Sequence, residues 1–419
     1  MGPLHDIKVL DLSRILAGPW ATQCLADFGA TVWKVEKPGV GDDTRHWGPP
    51  WLKDAAGRDT GEAAYYLSSN RGKRSLAIDF TKPAGQKLIR GLAQRADVLI
   101  ENFKVGTLAR YGLAYDDLKS LNPRLIYCSI SAFGQDGPDA GGAGYDAMIQ
   151  GMSGLMSITG EPDGGPIKVG VAVSDLMSGM YALSAILGAL YEREKSGQGQ
   201  AIDLALLDTQ VAALANQGLN YLISGVPPGR QGTAHPNIVP YQAFATADGY
   251  LMLAVGNDRQ FADFCGVAGL PELAADERFR ANAGRVANRG VLIPEIDRIC
   301  RQKTTRQWLD ALAPAGVPCG PINNLADVFA EPQVKHRKMR FDLPHPAGGE
   351  VPQIRNPVLY SRSKLEYRDP PPLLGQHTSE VLRQVLSLGP QELAALKKDG
   401  VIDGPARIRP EPRPDSPAG

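Results

Sequence analysis

The first third of the chain alternates strand and helix signals, and this alternation restricts the fold more than any other feature. Apolar runs at 7–13 and 31–37 flank a segment in which Gly18-Pro19 opens a helix and Gly29 closes it. Further strand signals lie at 75–80, 97–103 and 125–133. Repeated βαβ units predict an α/β fold in which helices cover both faces of a parallel sheet.

Composition shifts divide the rest of the chain. We expect residues 1–225 to form a large Rossmann-like domain, and Pro227-Pro228-Gly229 indicates a linker. Residues 226–330 combine a strand pair with arginine-rich amphipathic helices, which predicts a smaller α+β domain. Residues 331–403 are too few for a large core of their own, so we expect them to return to the large domain. Five prolines among the last sixteen residues predict a disordered tail at 404–419.

A carboxylate stands at the start of a long small-residue helix. An extended apolar segment at 167–173 runs into this helix, which begins near Ser174 and ends at Ser196-Gly197. Asp175 then lies in the first turn, where the helix dipole and free backbone N–H groups favour an ionised carboxylate. The alternative is that Ser174 or Asp175 only caps the helix, and on spacing alone capping is the more common role.

The overall charge and the cysteine pattern exclude several classes of protein. The 419 residues carry 45 basic and 45 acidic side chains, which argues against nucleic acid or an anionic membrane as main partner. No apolar run reaches the roughly 18 residues of a membrane span, and the N-terminus is too charged for a secretory signal. We therefore expect a cytoplasmic protein. Five scattered cysteines without CxxC and six histidines favour neither a disulfide framework nor a metal site.

The common nucleotide and hydrolase fingerprints are absent. Residues 13–19 after the first strand match neither GxGxxG nor a Walker A loop, and no GxSxG elbow occurs. A cationic cluster, Arg71-Gly72-Lys73-Arg74, lies in a segment (1–110) with 16 basic and 12 acidic side chains. It suits a phosphate-rich ligand, although a solvated surface turn explains it equally well. His235 and Tyr145-Asp146 are ambiguous in the same way, because structural hydrogen bonding explains them too.

Ordered blocks along nearly the whole chain resemble the class III CoA-transferase family of the CaiB/BaiF type. The blocks are Val9-Leu10-Asp11-Leu12-Ser13, Ala17-Gly18-Pro19, Lys34-Val35-Glu36-Lys37-Pro38-Gly39, Gly41-Asp42-Asp43-Thr44-Arg45, Asn70-Arg71-Gly72-Lys73-Arg74-Ser75, Glu101-Asn102-Phe103, Asn122-Pro123-Arg124, Gly144-Tyr145-Asp146, Ser174-Asp175-Leu176, Gly316-Val317-Pro318-Cys319-Gly320-Pro321 and Leu373-Leu374-Gly375-Gln376-His377-Thr378. So many blocks in one order make a chance match implausible.

The resemblance implies a fold and a chemistry. Its fold is an interlocked homodimer in which a doubly wound, CoA-binding large domain, built from both chain ends, carries an inserted small domain. Its nucleophile falls on Asp175, which reverses the preference for capping and implies covalent catalysis through an aspartyl mixed anhydride and an aspartyl-CoA thioester. CoA thioesters are substrates in this family, so the resemblance implies neither a tightly bound cofactor nor a metal.

Site residues carry over position by position from the resemblance. The implied CoA contacts are Leu16, Ala17, Lys37, Ile78, Thr81, Asn102, Phe103, Lys104, Arg110, Ala143, Tyr145 and Asp146. Ala143 stands where formyl-CoA transferases have a lysine. Candidates for the far carboxylate of the acceptor are Arg45, His46, His235 and Arg259.

Two departures narrow the substrate within the family. The glycine-run loop of formyl-CoA transferases is missing at 254–260, and Tyr145 replaces the histidine base of acyl-CoA racemases. These departures disfavour oxalate and racemisation. The segments Gly41-Asp42-Asp43-Thr44-Arg45, Gly232-Thr233-Ala234-His235 and Pro321-Ile322-Asn323-Asn324 resemble family members that transfer CoA from succinyl-CoA to a short dicarboxylate such as glutarate. Itaconate, adipate, 3-hydroxy-3-methylglutarate or a carnitine-like acid stay open as acceptors. Racemisation, and CoA binding without turnover, are weaker alternatives.

Overall fold

A computed structural model describes residues 1–405, so all of the predicted tail except residues 404 and 405 lies outside the described residues. The strands of the described chain are β1 (Lys8–Asp11), β2 (Thr31–Glu36), β3 (Trp51–Lys53), β4 (Asp59–Ala63), β5 (Lys73–Ile78), β6 (Val98–Glu101), β7 (Ile126–Ser131), β8 (Ala201–Ala205), β9 (Tyr241–Ala245), β10 (Tyr250–Ala254), β11 (Cys319–Pro321), β12 (Arg340–Pro344), β13 (Glu350–Ile354) and β14 (Ile402–Asp403). The predicted early strands are present; four are shorter than predicted, and β5 begins two residues earlier and ends two residues earlier than the predicted 75–80.

The α-helices of the same residues are α1 (Ala17–Asp27), α2 (Ala64–Leu67), α3 (Pro83–Ala93), α4 (Tyr115–Leu118), α5 (Asp146–Met152), α6 (Leu155–Ile158), α7 (Val173–Ser196), α8 (Leu206–Ala212), α9 (Ala215–Ser224), α10 (Asp258–Ala268), α11 (Pro271–Ala275), α12 (Glu277–Arg280), α13 (Asn282–Ala287), α14 (Arg289–Cys300), α15 (Thr305–Leu312), α16 (Leu325–Ala330), α17 (Pro332–His336), α18 (Thr378–Leu386) and α19 (Pro390–Lys398). Two 3-10 helices, Asp43–His46 and Ala109–Tyr111, join them.

The central sheet of the described chain has seven strands in the order β14-β5-β2-β1-β6-β7-β8. All neighbours pair in parallel except β14, which runs antiparallel to β5. The chain starts at β1 in the middle and moves outward through β2 and β5 on one side and through β6, β7 and β8 on the other. The predicted α/β class with a parallel sheet is therefore confirmed.

The two faces of this sheet carry separate apolar cores because side chains alternate along each strand. Val9 and Val32 face one core, which helices α1 and α7 cover. Leu10 and Trp33 face the other core, which α3, α18 and α19 cover. Alternation within one strand thus explains why helices must cover both sides, as the βαβ signals predicted.

Helix α7 is unusually apolar. It is the one helix of the described residues whose length and composition would allow it to cross a membrane, with 24 residues and a mean hydropathy of 1.4. Its residues Ala182 and Ile186 are completely buried in the core that it shares with α1. Core helices of soluble proteins have the same composition, so this property carries no argument for a membrane.

The chain divides into two compact units. Among the described residues, the first comprises 1–153, 170–219 and 336–405, and the second comprises 154–169 and 220–335. In the second unit, β11, β10 and β9 form an antiparallel sheet, and helices α10 to α15 enclose a core around the fully buried Trp308.

Segment 154–173 differs from the sequence prediction in two ways. Residues 154–169 belong to the second unit, although the predicted boundary left them in the large domain. Arg230 explains this, because its guanidinium donates to the carbonyls of Glu161 and Gly164. The extended run expected at 167–173 forms no strand, and Ile167 and Val171 are more than half exposed with no strand beside them.

The cationic cluster at Arg71-Gly72-Lys73-Arg74 is structural. The Arg71 guanidinium donates to both carboxylate oxygens of Asp27, at 2.7 and 2.8 Å, and both side chains are buried. Lys73 pairs with buried Asp11 at 3.1 Å, whereas Arg74 pairs with Glu380 at the surface at 2.8 Å. The phosphate role considered for this cluster is therefore wrong, since Arg71 and Lys73 are buried with their carboxylates and none of the three cations lines either of the two cavities described below.

We expect Arg71→Met to destabilise the first unit by about 3–5 kcal/mol, because Asp27 would remain buried and unpaired. Arg74→Met is the matched control. It removes the same charge three residues further along the chain, but from an exposed ion pair, and should cost at most about 1 kcal/mol. Urea unfolding of both variants, followed by circular dichroism, measures the difference. Equal losses in the two variants would contradict the assignment.

Candidate active site

A cavity of about 200 Å³ lies at the carboxyl ends of β1, β6 and β7. Between β1 and β6 the chain changes its direction of travel across the sheet, and ligands of open α/β sheets bind at such a switch point. The lining residues are Arg14, Ile15, Leu16, Ala17, Asn102, Phe103, Lys104, Val105, Ile130, Ser131, Ala132, Gly142, Ala143, Gly144, Tyr145, Asp175 and Leu206. We call this the first cavity.

A second cavity, of about 420 Å³, lies at the carboxyl ends of β1, β2 and β5. It is lined by Leu12, Ser13, Arg14, Lys34, Val35, Glu36, Lys37, Val40, Gly41, Asp42, Asp43, Ile78, Asp79, Phe80, Thr81 and Phe103. Arg14 and Phe103 line both cavities, so the two spaces meet at these residues.

Asp175 projects from the first turn of α7, as predicted, but its surroundings differ from the expectation. The backbone N–H groups of Ser174 and Asp175 donate to Oδ1 of Asp146, at 2.8 and 3.3 Å. Asp146 begins α5 and so caps α7 from another element. The Ser174 hydroxyl donates instead to Oε1 of Gln210 at 2.8 Å. Neither Ser174 nor Asp175 caps the helix, which leaves the Asp175 carboxylate directed to the cavity that it lines.

The pKa of Asp175 is raised to about 7, first by burial and second by the charge of Asp146. From the sequence, the helix N-terminus is expected to favour the ionised form of Asp175. That expectation is wrong because Asp146 takes the backbone N–H groups and adds a repelling charge. Tyr65 faces the same two carboxylates, and its pKa is raised to about 12 by burial and then by Asp175 and Asp146. A carboxylate with a pKa near neutrality is typical of an active site.

The loop from β1 to α1, which walls both cavities, is held in a strained shape. Ile15 has a φ of 69°, a conformation that β-branched residues rarely adopt. Its N–H donates to the Asp42 carboxylate at 3.2 and 3.3 Å. Lys34, completely buried, bridges Asp42 Oδ2 at 2.9 Å and the carbonyl of Ser13 at 3.0 Å. A buried ion pair thus fixes the loop on which Leu16 and Ala17 reach the first cavity.

The structure brings most of the predicted CoA contacts together. Those that line the first cavity are Leu16, Ala17, Asn102, Phe103, Lys104, Ala143 and Tyr145. Those that line the second are Lys37, Ile78, Thr81 and again Phe103. Arg110 is exposed and lines neither cavity, and Asp146 contributes only through α7. Their roles in binding stay predictions.

The predicted acceptor contacts are not brought together. Arg45 is 7% exposed and donates to Glu36, Glu62 and the carbonyl of Pro372, so its guanidinium is committed to structure and we withdraw it. His46 is exposed and bonds the Val40 carbonyl. His235 and Arg259 belong to the second unit. There His235 accepts from the N–H of Asn237, and Arg259 is exposed beside Asp263.

Several site residues were missed by the sequence analysis. Arg14 occurs directly after β1, so its position at the carboxyl end of a central strand was a usable signal. Tyr65 and Asp42 have no local signal, because their proximity to the cavities arises from packing alone. Among residues 1–405, no cluster of three histidine, cysteine or acidic side chains is placed to hold a metal ion.

Comparison with known proteins agrees with this geometry. The profile of CoA-transferase family III matches residues 4–378. Succinate–glutarate CoA-transferase of Agrobacterium fabrum is 52% identical over 91% of this chain and 96% of its own. Human succinyl-CoA:glutarate CoA-transferase is 46% identical over 96% of this chain and 90% of its own. The crystal structure of a CaiB/BaiF family protein from Brucella suis, at 49% identity, superposes with a TM-score of 0.81 over 92% of this chain and 99% of that one. The chain therefore belongs to CoA-transferase family III and is an enzyme of that family.

Proposed function

We propose that this enzyme transfers CoA from succinyl-CoA to glutarate or a similar short dicarboxylate, with Asp175 as the covalent nucleophile. The observation that carries the proposal is the half-buried Asp175 carboxylate at the switch point of the sheet, with a pKa near 7. The names of the bacterial and human relatives support succinyl-CoA as donor and glutarate as acceptor.

In the first half of the reaction, the Asp175 carboxylate attacks the thioester carbonyl of succinyl-CoA. The C–S bond breaks, CoA leaves as a thiolate, and a mixed succinyl-aspartyl anhydride remains. The thiolate then attacks the aspartyl carbonyl of this anhydride. Succinate leaves with the bridging oxygen, and the enzyme holds an aspartyl-CoA thioester.

In the second half, a carboxylate of the acceptor attacks the aspartyl thioester and expels the CoA thiolate. The product is a glutaryl-aspartyl anhydride. The thiolate attacks its glutaryl carbonyl, which forms glutaryl-CoA and returns Asp175 to a carboxylate. The bridging oxygen of this anhydride came from the acceptor, and it stays on Asp175. The reaction requires neither a redox partner nor a metal.

The surroundings of Asp175 favour the covalent intermediates over the free carboxylate. Burial and the charge of Asp146 both disfavour the ionised form, as the raised pKa of Asp175 records. Anhydride and thioester are neutral at this position, so acylation relieves both penalties. The more basic carboxylate is also the stronger nucleophile once it is ionised. Asp146 therefore acts on the reaction through its contact with α7 and its charge beside Asp175.

The two cavities suit the two ends of a CoA thioester. Ile78, Phe80 and Phe103 offer apolar walls for the adenine in the second cavity. The thioester must reach Asp175 in the first cavity. A long ligand buried across both cavities would have its reacting carbon held near the nucleophile. Binding energy from the parts of the substrate that do not react is used in this way to position the part that does.

The active form that we propose is a cytoplasmic, interlocked homodimer, as the family resemblance implies. Exposed apolar side chains support a second copy of the chain, since Leu222 is 75% and Ile223 80% exposed on α9. Isolated apolar residues on a surface are common, but adjacent ones on one short helix favour coverage by a partner. His235 and Arg259 stay candidates for contact with the acceptor.

We expect a panel of carboxylic acids with succinyl-CoA as donor to give the highest kcat/KM for glutarate. Asp175→Asn should reduce the rate by on the order of 10³-fold or more, because the amide is no nucleophile. Asp208→Asn is the matched control, since Asp208 also lies in a helix first turn but lines neither cavity. Formation of acyl-CoA is followed by mass spectrometry. Full activity of Asp175→Asn would contradict the proposal.

The pH dependence of kcat/KM should report the Asp175 carboxyl. Its folded pKa is raised to about 7, so it is protonated and unreactive below that pH and becomes active above it. We expect kcat/KM to rise about tenfold per pH unit up to pH 7 and then level off.

Asp146→Asn should move this acid limb to lower pH, since it removes the repelling charge while keeping an oxygen for the N–H groups of α7. Burial remains, so the limb should stay above the ordinary aspartate range of about 3.9. Initial rates between pH 5 and 9 measure both profiles, and an unchanged limb in the variant would contradict the assignment.

A further inference from the structure

Arg14 is the one arginine or lysine of residues 1–405 that lines both cavities. The first cavity also has Lys104, and the second has Lys34 and Lys37. A ligand that extends from the second cavity to Asp175 must pass Arg14 and Phe103, because these are the residues that the cavities share. Arg14 therefore stands beside the middle of such a ligand.

The main chain of Arg14 is fixed while its side chain is free to change partners. Its N–H donates to Oδ1 of Asn102, and its carbonyl accepts from Nδ2 of the same residue, both at 2.7 Å. The guanidinium is about half exposed, lies 5.7 Å from the centre of the Phe103 ring, and pairs with Asp43 at 3.2 Å. Exposed ion pairs of this kind are weak, so a better anion can replace Asp43.

We propose that Arg14 binds the pyrophosphate of CoA and gives up Asp43 to do so. The proposal rests on the proposed function, because it takes a CoA thioester as the ligand. Between the adenosine end and the neutral pantetheine arm, the pyrophosphate is the charged group. A guanidinium offers paired N–H donors that match phosphate oxygens.

Lys34, one of the three lysines that line these cavities, is committed elsewhere. The Lys34 ammonium is completely buried and bound to Asp42 and to the carbonyl of Ser13. Moving it to a ligand would leave Asp42 buried without its counter-ion, which is unfavourable. For Arg14 this cost is smaller, because the side chain of its present partner Asp43 is about half exposed and only the oxygen that pairs with Arg14 is buried.

The test measures binding, which needs no turnover. Isothermal titration of the full-length protein with CoA, 3′-dephospho-CoA and pantetheine separates the pyrophosphate from the other groups. We expect Arg14→Gln to weaken CoA and 3′-dephospho-CoA equally, by about tenfold or more, and to leave pantetheine unchanged. Arg14→Lys should recover part of the loss. Arg58→Gln is the matched control, since Arg58 forms an exposed pair with Asp54 and lines neither cavity.

Two results would overturn the assignment. If Arg14→Gln weakened the binding of pantetheine as much as that of CoA, Arg14 would act on the acyl arm or only stabilise the loop. If the variant bound 3′-dephospho-CoA with unchanged affinity, Arg14 would contact the 3′-phosphate instead of the pyrophosphate. Asp43→Asn supplies an independent arm, because loss of the competing carboxylate should tighten CoA binding by a few-fold. Weaker CoA binding in that variant would contradict the exchange. Absence of transfer to glutarate and to every other short dicarboxylate would refute the proposed function and leave these binding results intact.

Discussion

The buried ion pairs beneath the β1–α1 loop determine the geometry of this site. Asp11 accepts from the N–H and hydroxyl of Ser13 and pairs with Lys73, while Asp42 holds the N–H of Ile15 and pairs with Lys34. All four charged side chains are almost completely inaccessible, so each depends on its counter-ion. Because the loop walls both cavities, the shape of both cavities depends on these two buried ion pairs.

A second pair of side chains, the carboxylates of Asp146 and Asp175, determines the electrostatics of the candidate site. Asp146 uses one oxygen to cap α7 and thereby stands beside Asp175, so one structural contact fixes the helix of the proposed nucleophile and adds to the effect of burial in raising its pKa. An ordinary cap would have stabilised the ionised form of a first-turn aspartate. Here the site has the opposite bias, toward the neutral form of Asp175, which in the proposed mechanism also favours its acylated form. A single side chain therefore links helix capping, electrostatics and the proposed covalent mechanism.

Much of the fold follows from local patterns. The β1–α1–β2 unit, the strand pair Tyr241–Ala245 and Tyr250–Ala254, and the end of α7 at Gly197 all carry periodicity or turn signals in the sequence. The strand predicted at 167–173 is absent for a nonlocal reason. Segment 167–173 is apolar, yet no neighbouring strand is available to pair with it, and pairing is a property of the folded chain.

Residues of the site divide in the same way. Asp175 was identifiable from its place at a helix start together with the family resemblance, and Lys37 and Phe103 follow central strands directly. The buried state of Arg45 and Lys73 could not be predicted, because charged residues in a polar stretch resemble a surface turn until their carboxylate partners from distant segments are known. Tyr65 approaches Asp175 for the same nonlocal reason.

The most direct test of the account is the fate of the acceptor's oxygen. After a single turnover of the wild-type enzyme with succinyl-CoA and glutarate labelled with ¹⁸O in its carboxylates, the peptide that contains Asp175 is analysed by mass spectrometry. The account predicts a gain of one ¹⁸O on Asp175 and none on Asp146, because acceptor and enzyme share the bridging oxygen of an anhydride. Formation of glutaryl-CoA with no label on Asp175 would contradict covalent catalysis by this residue.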